Sequence, residues 1–291
     1  MNAASGRSPV TAAAPGAALR DANAASDRSS VTTAAPGAAL RGSGEAISLN
    51  GVAKSFGSLQ ALAGIDLHVA GRTTLGVVGP SGCGKSTLLS MVAGLLEPSA
   101  GTVAVGGVSS AQERLGRCAL MPQRDLLMPW RSALDNAALA LANRGFSKEE
   151  ARRRTRPLFD RFGLAEFADA MPSELSGGMR QRVAFLRTLM AGKGVLLLDE
   201  PFGALDAITR AEMQDWLRSA LDQEPRTVLL VTHDVEEALL LSDEVIVLSP
   251  RPGRVVARLE AGFGHDIARR EIVTSAEFTA LKERALEALE C

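Results

Sequence analysis

Beyond about residue 45, short apolar segments recur along the chain and alternate with segments of mixed polarity. Six of them have the strict alternation or the continuous apolarity typical of β-strands: 47–52, 65–69, 74–78, 195–198, 227–231 and 244–248. The segments between them have helical spacing, most clearly residues 85–96, which Pro98 ends. Strands that alternate with helices predict a largely parallel sheet and therefore an α/β fold.

A long region from about residue 125 to 192 is mostly helical in pattern. Because it separates two sheet-forming halves, it predicts a helical subdomain inserted into the α/β domain. Residues 267–289 again have a helical pattern. We therefore expect one folded domain over 45–260, followed by a short C-terminal helical extension over 261–291.

Residues 1–44 differ in composition from the rest of the chain, since Ala, Ser, Gly, Pro and Thr dominate them. Residues 7–20 return almost unchanged as residues 28–41, but two copies are too few for a repeat architecture. The segment has no bulky apolar side chains to bury, and prolines and aspartates interrupt any signal-like apolar stretch. These features predict a disordered Ala/Pro/Gly-rich tail.

The overall composition is that of a globular chain, and it argues against a nucleic-acid partner and against a membrane-spanning segment. The 32 basic and 33 acidic residues are balanced, so we expect no nucleic-acid partner, and the basic stretch 144–161 fits a solvated helix face. No apolar run approaches the roughly 18 residues that span a bilayer, so any membrane role requires a partner. The odd number and wide spacing of Cys83, Cys118 and Cys291 suit a reducing cytosol.

One glycine-rich segment fits the phosphate-loop pattern G-x-x-x-x-G-K-[ST], between a predicted strand and a predicted helix. Its residues, all candidates for nucleotide contact, are Gly79, Pro80, Ser81, Gly82, Cys83, Gly84, Lys85, Ser86 and Thr87. The glycines let consecutive backbone N–H groups face phosphate oxygens, and the helix from Lys85 adds its positive dipole end. The Lys85 ammonium would lie on the β- and γ-phosphates, and the Ser86 hydroxyl would bind Mg²⁺. We interpret Cys83 as a small filler residue.

Two carboxylates, Asp199 and Glu200, come at the carboxyl end of the predicted strand 195–198, where ligands bind in such sheets. Asp199 would hold Mg²⁺, directly or through water. Glu200 would orient and deprotonate the attacking water as a general base. Carboxylates at strand ends are often simple turn residues, but beside a phosphate loop they indicate a hydrolytic site for ATP with Mg²⁺ as cofactor.

Residues 175–182 read Leu-Ser-Gly-Gly-Met-Arg-Gln-Arg, which resembles the signature sequence of ATP-binding cassette (ABC) proteins. Ser176, Gly177 and Gly178 would form a second anion-binding cradle at a helix N-terminus. The resemblance implies that this cradle caps the γ-phosphate held by an opposite subunit. Two ATP molecules would then lie between two copies of the chain.

Other ABC elements follow in the expected order. Gln123 matches the Q-loop glutamine, which meets Mg²⁺ and the attacking water. Asp206, in Ala-Leu-Asp, matches the D-loop that links the two sites of a dimer. His233 follows a predicted strand and matches the switch histidine that contacts the γ-phosphate. Phe56 matches the aromatic residue that stacks on adenine, although Tyr is commoner there and this chain has none.

The resemblance covers about residues 45–259. It implies an α/β fold with a RecA-like phosphate-loop core sheet, an antiparallel β portion and a helical signature subdomain. The implied function is an ATP-hydrolysing subunit that energises a membrane transporter. A soluble ABC protein and an exporter subunit remain alternatives, although soluble ones usually carry two cassettes or a long coiled-coil insertion. A phosphate-loop kinase or GTPase would lack the signature and the switch histidine.

Three segments, 126–131, 134–136 and 249–254, resemble the nitrate/sulfonate/taurine importer group, which also contains transporters of pyrimidine precursors. The resemblance implies an importer of such anions or precursors. Its implied partners are a second copy of the chain, transmembrane permease subunits and a separate substrate-binding protein. It also implies a peripheral location on the cytoplasmic face of the cell membrane.

The segment after Gln123 also suggests where a permease would bind. Leu127, Met128 and Trp130 would line a groove beside the Q-loop, and the alternative is that they belong to the core of the helical subdomain. A shift of Gln123 with the nucleotide would then move the groove directly.

Overall fold

The computed structural model describes residues 46–223, 225–263 and 267–290, so the tail expected over 1–44 lies outside the described residues. Within these ranges nine strands form: β1 Ile47–Phe56, β2 Leu59–Val69, β3 Thr74–Val78, β4 Ala100–Val105, β5 Cys118–Met121, β6 Val195–Asp199, β7 Thr227–Val231, β8 Glu244–Leu248 and β9 Val255–Glu260. The α-helices of the same ranges are α1 Lys85–Val92, α2 Ala111–Arg117, α3 Ala133–Ala137, α4 Leu139–Asn143, α5 Lys148–Arg161, α6 Gly177–Met190, α7 Ala207–Gln223, α8 Val235–Leu241, α9 Arg269–Val273 and α10 Ala276–Glu290.

The strands form two sheets. A six-stranded sheet has the order β5-β6-β7-β3-β8-β9, and all its pairings are parallel except that of β8 with β9. A three-stranded antiparallel sheet has the order β2-β1-β4. The predicted α/β fold, with a parallel core sheet and an antiparallel portion, is confirmed.

The central strands of the large sheet explain the continuous apolar runs in the sequence. Every residue of β3, β6 and β7 is buried, because helices cover both faces of a parallel sheet. These three strands are neighbours in the order β6-β7-β3. Their carboxyl ends therefore lie side by side, and the loops that follow them meet at one edge.

The region predicted as a helical subdomain contains α3 to α6. Its apolar side chains form one core cluster with the underside of the large sheet, including Phe159, Phe185 and Leu198. Aromatic rings connect this core to α7, since the rings of Phe162 and Trp216 lie 4.5 Å apart edge to face. The position of the α6 N-terminus is thus fixed by the packing of α6 against the large sheet as well as by its covalent connections to the neighbouring segments.

The structure departs from the sequence pattern mainly at short or half-exposed elements. β4, β5 and β9 were not predicted, and the β1–β2 hairpin extends beyond the two alternating segments. Helix α1 ends at Val92 instead of 96, because the N–H groups of Leu95 and Leu96 both bond to the carbonyl oxygen of Ser90. The C-terminal helical pattern is two helices, α9 and α10, which share a core cluster with α8.

Across the residues that the structure describes, no helix is both long and apolar enough to cross a bilayer.

Candidate functional site

The phosphate-loop segment leaves β3 and turns directly into α1. Gly84, at the N-cap of α1, has a φ of 110°, a conformation that L side chains rarely adopt. A Cβ at this position would also lie 2.6 Å from Cδ2 of Leu62 in β2. The turn therefore requires a residue without a side chain, which is why the pattern has glycine here.

Lys85 is the first residue of α1, and its side chain folds back over the loop. Its ammonium nitrogen donates to the carbonyl oxygens of Gly79 at 2.7 Å and Pro80 at 3.0 Å, and the residue is only 7% exposed. Cys83 is buried behind the loop, as expected of a filler residue, and burial raises the pKa of its thiol. The phosphate loop thus holds the Lys85 ammonium group at its centre.

Asp199 ends β6 and is buried beside the phosphate loop. Burial raises the pKa of Asp199, and the neighbouring Glu200 charge acts in the same direction. A hydrogen bond with the Ser86 hydroxyl and the charge of Lys85 oppose this rise. Because burial disfavours the charged form of this carboxylate, a cation bound between it and the Ser86 hydroxyl would stabilise the charge.

Glu200 is held in an unusual backbone conformation by contacts on several sides. Its φ of 50° lies in the left-handed region, which costs free energy for a residue with a side chain. Its backbone N–H donates to Val231 O of β7 at 2.8 Å, and its carbonyl accepts from the Gln181 side chain of α6 at 2.9 Å. These contacts fix the backbone of Glu200 at a position where the residue and the phosphate loop line the same space.

Two further side chains meet the Glu200 carboxylate. Gln123, after β5, donates from Nε2 to Oε2 at 2.9 Å. His233, after β7, has Nδ1 3.3 Å from Oε1, with its side chain 63% exposed. The sequence placed these residues in separate motifs, and the adjacent strand ends bring them to one carboxylate.

A cavity of about 340 Å³ lies over the phosphate loop. Nine residues predicted from the sequence line it: Phe56, Ser81, Gly82, Gly84, Lys85, Ser86, Thr87, Gln123 and Glu200. The other lining residues, which the sequence analysis missed as site residues, are Leu59, Ala61 and Arg251. Only Arg251 had a signal, since its segment was already noted for subfamily resemblance.

The signature residues are not brought to this cavity. Ser176 caps α6, with its hydroxyl accepting from Met179 N at 3.2 Å, and neither it nor Gly177 nor Gly178 lines the cavity. Asp206 is also elsewhere, where its carboxylate accepts from the backbone N–H groups that start α7. One copy of the chain therefore contains two separate groups of predicted site residues.

The residues over the phosphate loop fit a nucleotide with a bound Mg²⁺. The donor set beside the loop consists of hydroxyl, amide and carboxylate oxygens, from Ser86, Gln123 and Asp199, which are hard ligands of the kind Mg²⁺ takes. Gly82 and Gly84 of the loop line the cavity, and a glycine-rich backbone can turn its N–H groups toward phosphate oxygens.

Comparisons with known proteins agree with this geometry. The model of the ABC transporter family matches residues 62–203. The taurine import ATP-binding protein TauB of Rhizobium johnstonii is 44% identical over 230 residues, which are 78% of this chain and 87% of that protein. The aliphatic sulfonates import ATP-binding protein SsuB 2 of Agrobacterium fabrum is 42% identical over 243 residues, covering 84% and 89% respectively.

A solved structure has the same fold. It is the dimeric structure of MJ0796, a bacterial ABC transporter cassette, at 29% identity and a TM-score of 0.69, and the match covers 75% of this chain and all of that one. A second match of equal score is the same cassette as a dimer in a post-hydrolysis state bound to ADP and Pi. By sequence, by fold and by the arrangement of its phosphate loop, the chain belongs to the ABC transporter family, as an ATP-binding cassette.

Proposed function

We propose that the chain hydrolyses MgATP as the energising subunit of a membrane importer for taurine and related sulfonates. The observation that carries the ATPase assignment is the meeting of Gln123 and His233 on the carboxylate of Glu200, beside the Lys85 loop. The similarity to taurine and sulfonate import subunits carries the choice of cargo.

Each side chain over the loop has a distinct task in this proposal. Lys85 binds the β- and γ-phosphates, exchanging its carbonyl partners for phosphate oxygens. Ser86, Gln123 and Asp199 would hold Mg²⁺, which would supply positive charge to stabilise the phosphates. Glu200 accepts the proton of the attacking water.

Gln123 and His233 orient the general base in addition to any contact with the nucleotide. Gln123 donates a hydrogen bond to one oxygen of the Glu200 carboxylate, and His233 Nδ1 lies 3.3 Å from the other oxygen, so both side chains contact the carboxylate before water arrives. Preorganised groups of this kind lower a barrier because they need not reorient during the reaction. Phe56, about half exposed at the other end of the cavity, supplies a flat apolar surface for the base.

The separated signature residues serve a second copy of the chain. Ser176, Gly177 and Gly178 form a largely exposed helix N-terminus, which among the described residues has no anion partner, and such a terminus attracts phosphate. Asp206 lies close to this helix N-terminus, because Cδ2 of the preceding residue, Leu205, is 3.2 Å from where a Cβ on Gly178 would be. The related cassette is a dimer in its solved structure, which supports this arrangement.

Permease subunits form the membrane partner, and a separate substrate-binding protein delivers the cargo to them. The chain then works at the cytoplasmic face of the membrane. Of the three groove residues expected, Trp130 is 73% exposed, whereas Leu127 belongs to the core of the helical subdomain. Trp130 is therefore the expected groove residue that is most available to a partner, beside the exposed Leu126, and Leu127 is a core residue.

The cargo and the direction of transport are tested by growth. A strain lacking this chain should fail to grow with taurine as the sole sulfur source and grow normally with sulfate. The wild-type chain should restore growth on taurine, and Glu200→Gln should not. Normal growth on taurine, with a defect only on nitrate, without thiamine or on sugars, would reject the sulfonate assignment while leaving the ATPase assignment intact.

A further inference from the structure

The loop that joins β8 to β9, residues 249–254, lies against β2. Gly253 N donates to Ala61 O at 2.9 Å, and Gly253 O accepts from Ala63 N at 3.1 Å. Within the loop, Arg254 N donates to the Ser249 hydroxyl at 3.1 Å. The 249–254 loop is therefore tied to the antiparallel sheet at one end and closed on itself at the other.

The same loop touches the backbone of the phosphate loop. A Cβ at Gly253 would lie 2.2 Å from the carbonyl oxygen of Cys83 and 3.0 Å from Cδ2 of Leu62. No side chain fits in this space, so the two loops approach each other at backbone distance. This contact fixes the position of the neighbouring residues of the 249–254 loop relative to the phosphate loop.

From this position the side chain of Arg251 reaches the cavity. It lines the cavity together with Lys85 and Glu200, and its guanidinium nitrogen lies 3.5 Å from where a Cβ on Gly82 would be. Gly82 is exposed on the cavity side of the phosphate loop. The guanidinium thus lies over the backbone that the pattern assigns to phosphate contact.

The hydrogen-bond donors of Arg251 are open to a ligand. Among the described residues no carboxylate pairs with Arg251, whereas Lys85 already bonds to two carbonyl oxygens. Arginines elsewhere on the chain are engaged, such as Arg258 with Glu244 at 3.3 Å. A planar cation without an acid partner, placed at the mouth of an anion site, is arranged for bidentate binding of phosphate.

We infer that Arg251 is a further nucleotide-binding residue, whose guanidinium donates to phosphate oxygens of the nucleoside triphosphate. This inference rests on the proposed nucleotide function of the cavity and adds a contact that the phosphate-loop pattern does not contain. It also assigns a role to the 249–254 loop, which follows β8, the neighbour of β3 in the sheet, and brings a cation to the phosphates. Base recognition remains with Phe56.

The test compares binding constants of the full chain for a non-hydrolysable ATP analogue and for inorganic tripolyphosphate. Arg251→Ala should raise both dissociation constants by the same factor, about tenfold, as expected for losing hydrogen bonds to a charged group. Arg251→Lys should recover part of the loss, because the charge remains and the planar fork does not. In turnover, KM for ATP should rise by a similar factor with kcat little changed.

Arg254→Ala is the matched control, since it removes the same charge from the same loop at a residue outside the cavity, and it should bind both ligands as the wild type does. Wild-type binding by Arg251→Ala, an equal loss in Arg254→Ala, or a loss for the ATP analogue alone would overturn the inference. Should Arg251→Ala fold poorly, Arg251→Gln gives the same comparison with the stem retained. Absence of binding by the wild-type chain would instead reject the proposed function.

Discussion

At the scale of single residues, Glu200 shows how the site combines a strained backbone with fixed side-chain contacts. Its left-handed backbone is held by β7 on one side and by Gln181 of α6 on the other. Strain of this kind costs of order 1–3 kcal/mol and persists only where surrounding contacts determine it. The carboxylate proposed as the general base is therefore positioned by the fold before any ligand binds.

Glu200→Gln should bind MgATP with near wild-type affinity and hydrolyse it at least about a hundredfold more slowly, because the amide cannot accept the water's proton. Loss of the carboxylate's repulsion with the γ-phosphate should also stabilise an ATP-bound dimer. Phosphate release and size-exclusion chromatography with ATP measure the two effects. Unchanged turnover with only monomer on the column would contradict both the assignment of the base and the shared site.

Glu237 is a buried acid that the reaction does not use. It lies in the first turn of α8, four residues after His233, and the Gln214 side chain donates to its Oε2 at 3.2 Å. Burial, with the nearby charge of Asp234, raises the pKa of Glu237 to about 7, and Arg210 and the Thr232 hydroxyl act in the opposite direction. The folded chain thus keeps a proton there that the unfolded chain releases near pH 4.5.

The sign of this shift predicts a stability that falls as pH rises from about 4.5 to 7 and then levels off. Glu237→Gln should remove that part of the pH dependence and raise the free energy of unfolding at pH 8 by up to about 3 kcal/mol. Glu236→Gln, its exposed neighbour paired with Lys282, is the control and should change little. Urea unfolding between pH 5 and pH 8 measures this, and parallel curves for wild type and Glu237→Gln would refute it.

At the scale of elements, the segment that carries Trp130 is fastened to α3 and α6. The buried Asn136 side chain bonds to both backbone groups of Met128, and Arg187 of α6 donates to the carbonyl oxygens of Asp125 and Leu126. The helix whose N-terminus bears Ser176 therefore holds the segment that follows Gln123. We therefore expect a movement of Gln123 or of α6 to displace the exposed tryptophan.

Trp130→Ala should uncouple transport from ATP hydrolysis, while basal turnover of the isolated chain stays within about twofold of wild type. A buried tryptophan anchor at an interface is worth about 2 kcal/mol or more, and this side chain makes no contact with the nucleotide cavity. Leu95→Ala, at another exposed apolar residue, serves as the control. Uptake and ATPase activity measured together in proteoliposomes decide the matter, and full coupling in Trp130→Ala would show that the permease binds elsewhere.

The elements also show what the sequence pattern contains and what it lacks. Strands buried on both faces, such as β6 and β7, are visible as apolar runs because every position must exclude water. The four-residue β5 and the half-exposed β9 have too few buried positions to produce such a run. Motif residues were predictable because phosphate chemistry fixes their spacing, whereas Arg251 reaches the cavity only through the packing of the 249–254 loop.

At the scale of the whole molecule, the functional residues fall into two groups that a single copy keeps apart. One group surrounds the cavity, and the other lies at the N-terminus of α6 and the start of α7. If each cavity is completed by another copy, as proposed, ATPase activity should rise with chain concentration.

Ser176→Arg should abolish hydrolysis while leaving nucleotide binding at the Lys85 loop intact, since the obstruction falls on the other copy's phosphate. Ser147→Arg is the matched control, because Ser147 caps α5 through the same kind of hydrogen bond, at the same 3.2 Å as in the Ser176 cap. Both variants lose a helix cap and gain a charge, so an equal loss of activity would point to destabilisation. ATPase assays with equilibrium binding separate the two cases.

The side chain of Leu62, on β2, lies in space between Gly84 of the phosphate loop and Gly253 of the 249–254 loop. Its Cδ2 lies 2.6 Å from where a Cβ on Gly84 would be and 3.0 Å from where a Cβ on Gly253 would be. One aliphatic side chain on β2 therefore packs between the phosphate loop and the 249–254 loop, at the place where the two backbones also meet. In evolution, drift among Leu, Ile, Met and Val at this position would retune how tightly a cassette holds its nucleotide, while every residue that touches the nucleotide stays unchanged.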